Sequence, residues 1–216
     1  MTSQYKYLWS KSLFLLAVLL VLSLYDLTLG SVSISSSDIF NSIFSYDPQI
    51  SEELTVRIFR IPRIVTAVLA GMALSVSGLL MQTLFQNPLA GPYVLGINSG
   101  ASLMVGLSTM TGFHFFSNDF GLVASALVGA FGAGLFILFC SVYVKNKVSL
   151  LLVGIMFGSF AGALVNVIQS YSNPDDLKVF MLWSFGSLQN VQFDQLGFLS
   201  MIVLVGIALT LFLIKP

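Results

Sequence analysis

Charge is scarce in this chain. Lysine, arginine, aspartate and glutamate together make up 8% of its 216 residues, nine basic against nine acidic, where soluble domains carry about 25%. With 56% hydrophobic residues and a mean hydropathy of +0.94, the chain is dissolved in lipid. With a formal net charge of zero, nucleic acid is not an expected partner. The single cysteine, Cys140, lies in an apolar run, has no intrachain partner, and reads as a small buried or lipid-facing hydrophobe. The single histidine, His114, stands among Phe113, Phe115 and Phe116 and reads as an interfacial residue. Metal-ligand spacing, a phosphate-binding glycine loop and a nucleophile–base pair are all missing, so no enzyme, resident metal or cofactor is expected. No charged residue lies near the middle of an apolar run. That weighs against a proton relay and against the alternative of an ion-coupled secondary transporter, which needs charged or unwound elements near mid-membrane.

What is abundant is apolar sequence in span-length blocks. Six stretches, near residues 13–29, 64–85, 94–110, 122–144, 148–168 and 196–214, approach or reach the length that crosses a hydrocarbon core of about 30 Å. A shorter run, 179–188, reads as an interfacial or re-entrant outer helix. The expected fold is therefore all-α and polytopic, one transmembrane domain over residues 1–216. The first stretch is longer than a signal-peptide core and lacks a small-x-small cleavage pattern, so it reads as a retained span. Placing the N-terminus inside puts Lys6, Lys11, Lys145, Lys147 and Lys215 on the inner side and all the acidic residues outside, which satisfies the positive-inside rule. Arg57, Arg60, Arg63 and Lys178 are then outer cations. Between the first two spans, Ser36-Ser37-Asp38 starts a short amphipathic outer helix with Ile39, Phe40, Ile43 and Phe44 on one stripe, stopped by Asp47-Pro48.

Three features go beyond anchorage. Pro62 suits the first turn of the second span, which would set Arg60 and Arg63 at the positive end of a helix dipole. Cations there are disfavoured by about 0.3–1 kcal/mol each, so an anionic partner is expected. An external protein, lipid headgroups, and intrachain Glu52 or Glu53 are the alternatives. Small residues recur every four positions as Ala67/Gly71/Ser75, Gly96/Gly100, Ser125/Gly129/Ala133 and Gly154/Gly158/Gly162, the last continued by Asn166 and Ser170. Such ridges let helix backbones approach in lipid, and Asn166 and Gln169 are candidates to line a cavity. Finally, Gln86-Asn87-Pro88-Leu89-Ala90-Gly91-Pro92 breaks the helix pattern between two spans, with Asn87 as turn starter.

RIPR followed by GMALSVSGLLMQ, then QNPLAGPYVLGINSGA, with SLLLVGIMFG and FMLWSFGSL further on, resembles the FecCD/BtuC-like permease family of iron-chelate (siderophore), haem and vitamin B12 ABC importers. The resemblance runs from Arg57 to Pro216. It implies a non-enzymatic subunit in the bacterial inner membrane, working beside a second permease copy, cytoplasmic ATP-binding subunits that hydrolyse ATP, and a substrate-binding protein. It implies that Arg60 and Arg63 dock on glutamates of the binding protein, that Asn87 and Leu89 contribute to a cytoplasmic gate, and that the helix carrying Gly154, Gly158, Gly162 and Asn166 lines the pathway. Members of the family run to roughly ten spans, so the chain looks like the N-terminal two thirds of one. By the same resemblance, the coupling helix for the ATPase is expected in the family's remaining third.

Overall fold

The computed structural model describes residues 2–112, 121–188, 191–193 and 195–213. They are helical, and no strand occurs among them. They fall into two compact units, one built from residues 1–73 and 188–216, the other from 74–187.

In the first unit, α1 (Thr2–Thr28) reaches further towards the N-terminus than the apolar run alone indicates, with the Lys11 ammonium over the Tyr7 ring at 4.2 Å. The short helix α2 (Ser36–Phe44) begins as the sequence predicts. Ser35 is its N-cap, accepting from the Asp38 N–H at 3.2 Å, which satisfies one of the donors a helix start leaves open. Its packed side is unexpected, since Ser42 is buried while Phe40, Ile43 and Phe44 are exposed.

The second span departs from expectation at its start. Instead of beginning beside Pro62, helix is continuous from Ser51 to Phe85, 35 residues or about 52 Å long. It comprises α3 (Ser51–Thr55), a π-helical turn (Val56–Arg60) and α4 (Ile61–Phe85). Glu52 and Glu53 in the first turn suit the positive end of the dipole, and Glu53 also accepts from the Asp47 N–H at 2.8 Å. Pro62 therefore sits inside a helix, where it cannot donate and its ring crowds the carbonyl four residues back. The wider π turn lies immediately before it, with the Ile61 N–H reaching back to the Val56 carbonyl.

In the second unit, α4 ends in a Schellman arrangement. Gln86 takes a left-handed φ of 49°, its N–H reaches the Thr83 carbonyl, and the Asn87 N–H reaches that of Gln82. The third stretch is helical only as α5 (Ile97–Met110), 14 residues or about 21 Å, rather than over 94–110. Gly96, at φ +70°, stops the helix from extending backwards. α6 (Gly121–Tyr143), α7 (Lys147–Tyr171) and, in the first unit, α9 (Gln195–Leu213) match their expected stretches within a few residues. α8 (Pro174–Phe185) starts five residues before the expected 179–188, because Pro174 at the first turn and Asp175–Asp176 at the positive end start a helix that the apolar run alone did not mark. Five of the described helices are long and apolar enough to cross a membrane: Tyr7–Thr28 of α1, Ser51–Phe85, α6, α7 and α9. His114 lies outside the described residues.

Candidate functional site

The two arginines of the R-x-P-R string meet different partners, and neither is Glu52 or Glu53. Arg60 is buried at 4% exposure. Its Nη1 donates to the Leu27 carbonyl and its Nη2 to the Val32 carbonyl, so one guanidinium ties together the end of α1 and the segment that leaves it. Gly30 lies against this group, and a Cβ there would come within 2.7 Å of Nη2. Arg63, one turn on, is 26% exposed and pairs through Nη2 with Asp26 Oδ1 at 2.8 Å, the Asp26 side chain being 39% exposed. Leu29, Gly30, Ser31, Val32, Thr55 and Phe59 complete an open hollow around the two arginines. Arg57 lies over the Tyr46 ring at 4.4 Å.

The dipole argument for these arginines does not survive. They stand two or more turns inside a helix that starts at Ser51, whereas the dipole acts within the first turn. The dipole they address belongs to α1. Arg60 satisfies a carbonyl at its C-terminal end, where cations are favoured. Of the two, Arg63 is the one that pairs with an anion within this chain, Asp26.

At the opposite end of α4, Asn87 closes a tight turn. Its Oδ1 accepts from the Leu89 N–H at 2.9 Å, and Gln82 Nε2 donates to the Pro88 carbonyl at 3.2 Å. This holds Leu89 at the tip, 88% exposed, while the neighbouring Ala90 is buried with Phe85, Leu95 and Ile137. The chain then turns through residues 91–96 into α5.

The small-residue ridges divide by what covers them. Ser125, Gly129 and Ala133, extended by Gly121 and Ile137, form the buried seam of α6. Gly129 meets Gly100 of α5 so closely that a Cβ on either would strike the other's backbone or Ala133. Gly96 instead faces α7, against Gly154, Phe157 and Gly158. A Cβ at Gly154 would come within 2.7 Å of the Val94 carbonyl, and one at Gly158 within 3.3 Å of Ser99 Oγ. Gly162 has room for a Cβ, and Asn166 is exposed on α7. The lower half of the α7 ridge therefore packs on the start of α5, while its upper half is open. The structure brings Gly154 and Gly158 together with residues 94–99, and Arg60 together with Arg63. Sequence reasoning missed Asp26, Leu27, Gly30 and Val32. An acid in the last turn of an apolar helix was the one available signal for Asp26.

These features define a helical multi-pass membrane protein with close glycine-mediated helix crossings and a polar clasp at one end of its first two long helices. The sequence profile of the FecCD transport family matches residues 15–216, and the chain belongs to that family. It is 36% identical over 194 residues to the hemin transport system permease protein HmuU of Yersinia pestis, covering 88% of this chain and 57% of HmuU. It is also 36% identical over 140 residues to the vitamin B12 import system permease protein BtuC of Photorhabdus laumondii, covering 64% of this chain and 42% of BtuC. A solved ABC transporter assigned to the metal-chelate type, in an inward-facing conformation, superposes with a TM-score of 0.77 at 29% identity, over 94% of this chain and 62% of that one. The chain thus spans roughly half the length of the curated relatives it matches.

Proposed function

We propose that the chain forms the membrane-spanning part of a permease subunit in an ABC importer. Its cargo would be an iron chelate (siderophore or haem) or cobalamin, carried across the bacterial inner membrane. The observation that carries this reading is the family match over residues 15–216. Both compact units would belong to one permease domain, paired with a second copy. ATP would be hydrolysed by separate cytoplasmic subunits and cargo delivered by a substrate-binding protein. The N-terminus lies inside, on the lysine distribution.

Within this reading the arginines divide the docking role. Arg63, partly exposed, presents charge to a glutamate of the binding protein, and Arg60 holds the surface on which it does so. Asn87 and Leu89 form a cytoplasmic gate element, supported by the tight turn that holds Leu89 outward. Gly162 and Asn166, on the open half of the α7 ridge, face the pathway, while Gly154 and Gly158 seat α7 on the start of α5. Uncharged, small-residue walls suit a bulky chelate that passes without tight binding.

The test is growth. A strain lacking its own chelate permeases receives the full-length reading frame with its ATPase and binding protein, and is offered haem, a ferric siderophore or cobalamin as sole source. Growth on one of these, abolished by removing the ATPase, is expected. Growth on none of the three would contradict the proposal.

A further inference from the structure

The pairing of Arg63 carries more than a docking charge. Asp26 lies in the last turn of α1, where the carbonyl end of the dipole disfavours a carboxylate. Arg63, 2.8 Å away, offsets that. Arg60 is buried and spends both Nη groups on the carbonyls of Leu27 and Val32, so it cannot turn outward without orphaning them. Arg63 has no such commitment among the described contacts beyond Asp26, and both members of the pair are exposed enough for a third group to reach them. An exposed ion pair is held weakly.

The geometry points to Asp26 as an internal stand-in for a partner's carboxylate. In the undocked chain it occupies Arg63. A glutamate or aspartate from a docking protein displaces it, and Asp26 is left unpaired at the negative end of α1. The exchange loosens the last turn of α1 while Arg60 keeps Leu27 and Val32 fastened to the second helix, so docking is reported to α1 without the clasp coming apart. Asp26 thereby sets both the affinity for the partner and the state of α1. This rests on the docking reading of Arg63.

The experiment uses the assembled importer, full-length permease with its ATPases in lipid nanodiscs, titrated with its own substrate-free binding protein at low and moderate salt. Asp26→Asn keeps the shape and removes the charge, and is expected to tighten docking about two- to five-fold. Asp26→Ser should act in the same direction, which guards against a variant-specific folding defect. Arg63→Ala should weaken docking. The double variant Asp26→Asn/Arg63→Ala should match Arg63→Ala alone, because Asp26 competes only through Arg63. If Arg63→Ala weakens docking while both Asp26 variants leave it unchanged or weaker, the stand-in role is overturned and the docking reading survives. If Arg63→Ala has no effect, both fall.

Discussion

Two arginines three residues apart contribute unequally to the fold because they differ in burial and in partner. Arg60→Ala strands the buried Leu27 carbonyl, at about 1–3 kcal/mol, and leaves the part-buried Val32 carbonyl to water. Arg63→Ala removes one partly exposed ion pair, worth under about 1 kcal/mol. Thermal unfolding in detergent should therefore rank Arg60→Ala as far more destabilising, and equal losses would contradict the clasp. Glycines follow a similar logic. Gly129→Val drives a side chain into the Gly100 backbone and should cost about 1–3 kcal/mol or more, whereas Gly162→Ala has open space and should leave the melting temperature nearly unchanged. Ser125 is fully buried, and its hydroxyl has no hydrogen-bond partner among the described residues. Ser125→Ala should accordingly raise stability by about 1 kcal/mol. At this scale the sequence marked the arginines as unusual but could not find their partners, which lie 28 to 37 positions away. Two of those partners are backbone carbonyls, which carry no side-chain signal.

Helix ends were legible where polarity changes sharply and illegible where it does not. The boundaries of α6 and α7 follow the drop in hydropathy at Val144-Lys145 and at Ser172-Asn173, and Asn146 caps α7 by accepting from the Val148 and Ser149 N–H groups. Ser51-Glu52-Glu53 is polar yet helical, so the second long helix starts thirteen residues before its apolar run, which begins at residue 64. Pro62, taken as a start signal, is accommodated inside by a preceding π turn. The shortness of α5 was hidden because residues 94–96 are as apolar as the helix that follows. Only the positive φ of Gly96 separates them. The end of α4 yields a test at this scale. Gln86 occupies a left-handed position that glycine adopts without steric cost, so Gln86→Gly should stabilise the chain by about 1 kcal/mol, read by urea or thermal unfolding in micelles. Destabilisation would mean that the Gln86 side chain contributes more than the backbone strain it imposes.

For the molecule as a whole, composition established membrane residence, and the RIPR and QNPLAGP strings pointed to the family that the match over residues 15–216 establishes. The ridge Ser125/Gly129/Ala133 proved to be the α5–α6 seam because small side chains are the only ones that admit such a close crossing. The cargo was not legible, because the uncharged Gly, Ser and Asn residues proposed to line the pathway would recognise no particular chelate. The relatives themselves differ in this respect, with a hemin permease and a vitamin B12 permease at the same identity. The central claim is that movement through this permease is driven by ATP hydrolysed in a separate subunit. Its most direct test is chelate uptake into proteoliposomes holding the full importer and supplied with binding protein. The account predicts accumulation that requires ATP and is unaffected by ionophores that collapse proton and sodium gradients. Uptake that continues without ATP under an imposed ion gradient, and stops when the gradient is collapsed, would contradict it.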